Sequence, residues 1–318
     1  MSAIQIPTFS LEDLGNGSHR TDLRQCIQEY GIFYLTEYGM TDADHRLARD
    51  AAMNVFEHAT PEEKQALTTR FSDIRRGFSG LGAESTALVT NTGSYSDYSM
   101  CFSMGLSDNL FPSPDFENVW TQYFSLLYNT AQAAAQVVLQ VSNVDCELDD
   151  LINGDPVLRL RYFPEVPPDR VAECEPLRMA PHYDLSVLTL IHQTECENGF
   201  VSLQVQIGDE IVGLPPKPES VVVLCGAVAT LASHGVVRAP KHQVAAPPSA
   251  MQAGSGRTSS VFFLRPRPTY TFSVANAHKF GLDVSVTGET ATFGDWIGIN
   301  YEELHTRPDA RVNLERNE

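Results

Sequence analysis

The sequence predicts a mainly β protein with flanking helices: a β-rich C-terminal core, sandwich or barrel, supported by a helical N-terminal part. From about residue 155 onward, short β-branched and aromatic runs alternate with Gly, Pro, Asn and Asp turn signals, the rhythm of a sandwich or barrel. Before that point apolar residues recur mostly at helical spacing. The chain has 318 residues, 42% hydrophobic and 19% charged, which is ample for a core and unlike a disordered segment. The division expected is a helical supporting region with a few strands over 1–154, then the β core and a C-terminal tail over 155–318, acting as one functional unit.

Residues 4–9 read as a short strand, and Ser10 is placed to cap the element after it. Ser18 to Tyr30 suits a helix, with Leu23, Cys26 and Ile27 on one face. Residues 31–36 form an aromatic and β-branched strand, ended at Gly39. A second helix runs from Thr41 to about His58, and Thr60-Pro61-Glu62-Glu63 has the Thr/Pro/acidic composition that starts a third. From Phe71 to Met104 the pattern is irregular and rich in Gly, Ser, Thr and Tyr, as in a binding loop region or a surface segment. The stretch from Pro114 to Val141 is a long scaffold helix whose buried stripe is Trp120, Tyr123, Phe124, Leu127 and Ala131. Strand-like runs come next at 157–163, 185–193, 200–207, 221–225, 242–246 and 259–264.

Charge and cysteines narrow the class. A formal net charge of −18 argues against nucleic acid or an anionic membrane as partner. No stretch has the basic flank and apolar core of a signal peptide, and no apolar run reaches membrane-spanning length. The six cysteines lie far apart without C-x-x-C pairs, so neither a zinc module nor a disulfide framework is indicated. A cytoplasmic protein with no obligate protein partner is expected.

The chemistry centres on Pro181-His182-Tyr183-Asp184-Leu185-Ser186, which opens the apolar run Val187–Ile191. In an extended backbone, residues two apart point the same way, so His182 and Asp184 supply an imidazole and a hard oxygen together. Two His and one carboxylate on one face of an iron, with the other positions open, is the arrangement of non-haem Fe(II) oxygenases. His192 shares their parity, but eight strand residues span roughly 26 Å, too far for one ion. His234 adjoins Gly235 as in a turn, and His242 sits in a strand-like run; His278 and His305 are further candidates. Arg257 and Ser259 share a strand face and together can hold a carboxylate, through a fork of guanidinium donors and one hydroxyl.

His182-x-Asp184, His242 and Arg257-x-Ser259, in that order in a β-rich region, resemble the iron- and 2-oxoglutarate-binding signature of Fe(II)/2-oxoglutarate-dependent oxygenases. The runs Arg75-Arg76-Gly77-Phe78, Leu158-Arg-Leu-Arg-Tyr-Phe-Pro164, Met179-Ala-Pro-His-Tyr-Asp-Leu185 and Arg257-Thr-Ser-Ser-Val-Phe-Phe-Leu-Arg-Pro266 are similar to the expandase/hydroxylase family of the cephalosporin pathway. The resemblance covers nearly the whole chain. Gln243 stands where that family usually carries a second His after the ligand, and the tail Asn300-Tyr301-Glu302-Glu303-Leu304-His305 is unusually acidic.

The resemblance implies a distorted jelly-roll, or double-stranded β-helix, core flanked by helices. It also implies Fe(II) on His182, Asp184 and His242, with 2-oxoglutarate and O2 as cosubstrates and Arg257 and Ser259 on the distal carboxylate of 2-oxoglutarate. The substrate expected is a small-molecule β-lactam carrying carboxylates. Arg75, Arg76, Arg159 and Arg161 are candidates to meet those charges, and Met179, Phe263, Phe262 and Leu203 are candidate apolar walls. The activity expected is 3′-hydroxylation of deacetoxycephalosporin C, because the runs at 44–48, 155–158 and 293–298 look more like the hydroxylase branch. The alternatives are ring expansion of penicillin N, the same chemistry on another small metabolite, and a jelly-roll binding module with a non-catalytic metal site.

Overall fold

The computed structural model describes residues 4–68, 76–144, 148–167 and 177–305. Strand β1 (Thr8–Ser10) runs directly into α1 (Leu11–Gly15), where the Ser10 hydroxyl accepts the Asp13 backbone N–H at 3.2 Å. Helix α2 (Arg20–Glu29) buries Leu23, Cys26 and Ile27 and is followed by β2 (Ile32–Thr36). Helix α3 (Asp42–His58) begins where the Asp44 carboxylate accepts the Thr41 backbone N–H at 2.8 Å. Helix α4 (Pro61–Ala66) has a reciprocal cap between Thr60 and Glu63. Each start satisfies backbone donors that a helix cannot pair internally.

The region that reads as irregular holds three short elements among its described residues: β3 (Gly77–Ser79), α5 (Thr86–Val89) and β4 (Met100–Met104). Elements of three to five residues are too short for a periodic pattern to announce them, and these strands are specified by pairing partners far along the chain. Helix α6 (Pro114–Val141) spans the length expected and buries Trp120, whose indole N–H donates to the Ala48 carbonyl at 3.1 Å. Short α7 (Leu148–Ile152) leads toward the β core.

The core strands are β5 (Val157–Phe163), β6 (Leu177–His182), β7 (Leu188–Gln193), β8 (Leu203–Ile207), β9 (Glu210–Gly213), β10 (Val221–Cys225), β11 (His242–Ala245) and β12 (Arg257–Leu264). Helix α8 (Ala227–Ala232) follows β10, and the chain continues through β13 (Thr271–Ser273), α9 (Val274–Lys279), β14 (Thr290–Thr292) and α10 (Phe293–His305). They form an eight-stranded sheet of order β1-β2-β10-β7-β12-β5-β4-β3, a four-stranded sheet of order β6-β11-β8-β9, and a small β13–β14 pair. This is the jelly-roll class of core. Strands β1 and β2 extend one edge of the large sheet, and β4 and β3 the other.

The large sheet has two apolar faces. One carries α6: Phe262 of β12 meets Phe124 of α6 with ring centroids 5.2 Å apart. The other face meets the small sheet, where Ile32, Tyr34, Ile191, Val222 and Leu224 pack with Leu203 and Val205. Because strand side chains alternate, Phe262 and Leu264 of β12 face the helices while Arg257, Ser259, Val261 and Phe263 face a cavity between the sheets. Phe262, expected as a cavity wall, is therefore a core residue. Burying such a ring contributes roughly 1.5–3 kcal/mol.

Strand β6 is not evident from the sequence pattern. It contains Arg178 and Pro181, which blur its alternation, and Pro181 is tolerated because β6 is an edge strand. His182 is the last residue of β6, and Asp184 lies in the loop before β7. The H-x-D pair thus closes one strand of the small sheet rather than opening a strand of the large one.

Candidate metal centre and active-site cavity

His182 and His242 are cross-strand partners of β6 and β11, with imidazole centroids 4.3 Å apart. Asp184 completes the group from the following loop. Its Oδ1 lies 3.7 Å from His182 Nε2 and 3.8 Å from His242 Nε2, and the three ligand atoms lie within 4.8 Å of one another. Each ring turns its other nitrogen to a backbone carbonyl: His182 Nδ1 to Ala180 at 2.8 Å and His242 Nδ1 to Pro240 at 3.4 Å. An Nδ1–H that donates to a carbonyl leaves a lone pair on Nε2, facing the shared point. Burial pulls the His182 pKa down to about 4, reinforced by His242 and opposed by Asp184, so its imidazole is neutral at pH 7. Asp184 Oδ2 is buried without a hydrogen-bond partner. Two imidazoles, one carboxylate and an orphaned buried oxygen fit a divalent cation of the Fe(II) class.

The loop that carries Asp184 is held by the start of α8. Backbone N–H groups of Gly226, Ala227 and Val228 donate to the carbonyls of Val187, Asp184 and Ser186 at 3.0, 2.8 and 3.0 Å. Gly226 has φ −93°, which any residue adopts; what requires glycine there is the close approach of Ser186.

Across the cavity, of about 290 Å³, Arg257 and Ser259 project from β12 in the large sheet. The Arg257 guanidinium donates to Gln193 Oε1 at 3.0 Å, to Ser202 Oγ at 2.9 Å and to the Ser259 hydroxyl, and it lies 5.2 Å over the Phe163 ring. Its Nε is buried without a partner. Burial pulls its pKa down to about 10, opposed by Cys196, and the group stays charged at neutral pH. Each of these three acceptors belongs to a neutral side chain. A buried cation held by neutral groups, with a donor to spare, is suited to a carboxylate from outside the chain.

Arg159 and Arg161 also line the cavity, on alternate positions of β5, but they are already paired through the carboxylate of Glu84. Met179, Phe263 and Leu203 line it as apolar wall. Arg76 is packed against Gly105 and Ser107 and is not among the cavity-lining residues; Arg75 lies outside the described residues. Gln243 bonds Gln204 at 2.9 Å and does not line the cavity. His192 pairs in register with Ser260, on the helix-facing side, where its ring stacks on His45 at 3.6 Å. Of the tail, Asn300, Tyr301 and Leu304 line the cavity, and residues beyond 305 lie outside the described residues.

Several groups that hold the cavity's arginines, and one that lines the cavity, escaped the sequence reading. Glu84, Gln193 and Ser202 are single polar residues 75, 64 and 55 positions from the arginines they hold, with no motif around them. Arg265 was legible in principle, because it continues the odd-numbered face of β12. It lines the cavity beside Phe263 and donates to the Tyr301 hydroxyl.

Comparison with known proteins adds to this geometry. A family model described as the 2OG-Fe(II) oxygenase superfamily matches residues 154–266, and one described as non-haem dioxygenase in morphine synthesis N-terminal matches 6–123. The chain is 56% identical over 317 residues to a deacetoxycephalosporin C hydroxylase of Streptomyces clavuligerus, covering 98% of this chain and 100% of the relative. It is 52% identical over 314 residues to a deacetoxycephalosporin C synthase of Amycolatopsis lactamdurans, with 98% and 100% covered. Among solved structures, a full-length Neurospora crassa protein in complex with alpha-KG superimposes with TM-score 0.75 at 17% identity, covering 94% of this chain and 97% of the other. The rice dioxygenase for auxin oxidation gives TM-score 0.69 at 17% identity, covering 99% and 96%. At such identities the structural likeness is one of fold.

Proposed function

The chain belongs to the 2OG-Fe(II) oxygenase superfamily and, within it, to the deacetoxycephalosporin C hydroxylase/synthase family, and on that premise we propose that it catalyses 3′-hydroxylation of deacetoxycephalosporin C to deacetylcephalosporin C. It is a dioxygenase dependent on Fe(II) and 2-oxoglutarate, acting on a small molecule. The observation that carries the finer reading is 56% identity along the full length of a relative named as the hydroxylase. Ring expansion of penicillin N is the second reading, supported by 52% identity to a relative named as the synthase.

In this reading His182, Asp184 and His242 hold Fe(II), and Arg257 with Ser259 holds the far carboxylate of 2-oxoglutarate. When bound, the metal with 2-oxoglutarate and O2 supplies the oxidant that removes hydrogen from a nearby C–H. The chain's own residues do the rest. The triad would supply three protein ligands to the ion and would leave room on it for small ligands. Arg257 sets the orientation of the cosubstrate from across the cavity. Arg159 and Arg161 meet a substrate carboxylate, while Met179 and Phe263 exclude water and hold the apolar part of the substrate.

The family-model matches at 6–123 and 154–266 support reading the first half as a supporting region and the second as the catalytic core, working as one unit. No described helix is long and apolar enough to cross a membrane. We read the enzyme as cytoplasmic, without nucleic acid or an obligate protein as partner; the net charge of −18 supports the first exclusion. The test is to supply deacetoxycephalosporin C and penicillin N separately with Fe(II), 2-oxoglutarate and O2, and to identify products by mass. Deacetylcephalosporin C is expected. Efficient expansion of penicillin N with no hydroxylated cephem would reverse the choice, and no oxygen-dependent product from either would remove both.

A further inference from the structure

The two arginines of β5 are bridged by one carboxylate. Arg159 Nη2 donates to Glu84 Oε1 at 2.5 Å, and Arg161 Nη2 donates to Glu84 Oε2 at 2.7 Å. Ser103 Oγ accepts Arg159 Nε at 3.1 Å, and Ser99 Oγ accepts Arg161 Nη1 at 3.0 Å. Asp97 Oδ2 stands 3.8 Å from Arg161 Nη1. All four residues are buried, none more than 8% exposed, so the two guanidiniums are met by carboxyl groups rather than by water.

Glu84 stands behind the cavity wall rather than in it. It directly precedes Ser85, whose hydroxyl caps α5, and Thr86 of α5 lines the cavity. Thr86 donates to Asp97 twice, from its backbone N–H at 3.0 Å and its hydroxyl at 2.7 Å, and the Asp97 backbone N–H donates to the Glu84 carbonyl at 2.8 Å. The bridge therefore ties the orientation of both guanidiniums to the placement of that wall.

We propose that Glu84 is a positioning residue that sets substrate specificity: it locks Arg159 and Arg161 in one orientation and reduces the positive charge they offer an anionic substrate. The proposal rests on the reading of a carboxylate-bearing β-lactam as substrate. An uncompensated arginine pair would attract any carboxylate and hold it in several poses. With Glu84 in place, an incoming carboxylate meets only the N–H donors left over by Glu84, Ser99 and Ser103, so geometry rather than raw attraction decides what binds. Glu84 touches no reacting atom; it acts through the arginines.

The test compares wild type with Glu84→Gln, which keeps the shape and removes the charge, using deacetoxycephalosporin C and its 4-carboxylate methyl ester. In the variant the preference for acid over ester in binding should rise at least tenfold. Substrate oxidised per 2-oxoglutarate consumed should fall at least threefold, and KM for 2-oxoglutarate should stay put. A merely structural residue would weaken acid and ester alike; an unchanged acid-over-ester preference overturns the proposal. If Glu84→Gln does not fold, Glu84→Asp keeps the charge and shortens the reach: its preference should match wild type while coupling falls, and intact coupling overturns the proposal. If wild type binds neither cephem acid nor penicillin N, the substrate reading fails by itself. Thermal stabilisation by phenylacetate against phenylacetamide then decides on Glu84: a carboxylate-specific shift larger in Glu84→Gln supports the proposal, and an equal or absent shift overturns it.

Discussion

Gly226 lies so close to Ser186 that a Cβ added at residue 226 would overlap the Ser186 carbonyl oxygen. The same approach lets the start of α8 hold the Asp184 loop by three backbone hydrogen bonds. Gly226→Ala should therefore act on the metal site although neither residue is a ligand. Overpacking of this kind costs about 1–3 kcal/mol. Displacing the support of a ligand typically weakens metal binding about 10–100-fold. Titration of the apo variant with Fe(II) or Co(II) measures this; wild-type metal affinity would show that the loop does not depend on the contact.

His242→Ala should abolish metal binding and turnover while the fold survives, since β11 stays paired on both sides to β6 and β8. Saturating metal stabilises wild type by about 2.7 kcal/mol at a hundred times Kd, visible as a rise in Tm. The variant should show no metal-dependent rise. Normal turnover without an added ligand would remove His242 from the triad.

The stacked pair His45 and His192 predicts acid sensitivity away from the metal. Burial, with His192 beside it, pulls the His45 pKa down to about 2; burial pulls His192 down to about 4 against the opposing charge of Asp42. Both groups titrate near 6.5 when unfolded, so above that pH neither binds a proton in either state. Below it the unfolded chain binds protons that the native state refuses, and stability falls by up to about 1.4 kcal/mol per pH unit for each histidine. The loss continues down to the folded pKa values. His182 adds its own loss in the same direction, so the informative quantity is a difference. His192→Gln should flatten the fall of the denaturant midpoint between pH 6.5 and 5 relative to wild type; superimposable curves would refute the assignment.

How much of the molecule is legible in the sequence depends on the range of the interaction that specifies each part. Arg257-x-Ser259 was readable because both residues share one strand, where alternation alone decides the face. The helices were readable because their caps and stripes are local, as with Thr60 and Glu63 of α4. His192 has the same parity as His182, yet it faces the helices, because the turn at 183–187 carries the chain from one sheet to the other. Glu84 could not be found at all: its partners are 75 and 77 positions away. The demand for glycine at 226 was equally silent, since it comes from packing rather than from an unusual backbone angle.

Arg257 offers a test of the cosubstrate that is independent of the β-lactam. It sits 4% exposed among Gln193, Ser202 and Ser259, beside a stretch of wall that includes Phe163 and Met179. A dicarboxylate anchored at the triad must place its far charge in this environment, and that charge is tolerated only if paired. Truncating one partner of a buried pair costs about 3–5 kcal/mol, because the other charge is left uncompensated. Arg257→Gln should weaken 2-oxoglutarate by that amount, roughly 140- to 3700-fold in affinity at about 1.4 kcal/mol per decade. The triad is untouched, so the chelating end of a 2-oxo acid can still bind. The variant should therefore prefer monocarboxylate 2-oxo acids with short aliphatic tails, which bring no second charge to bury. Substrate oxidation measured with each 2-oxo acid in both proteins checks this. If the variant keeps wild-type affinity for 2-oxoglutarate, the anchor lies elsewhere in the cavity, where Arg159, Arg161 and Arg265 are the other buried guanidiniums that line it.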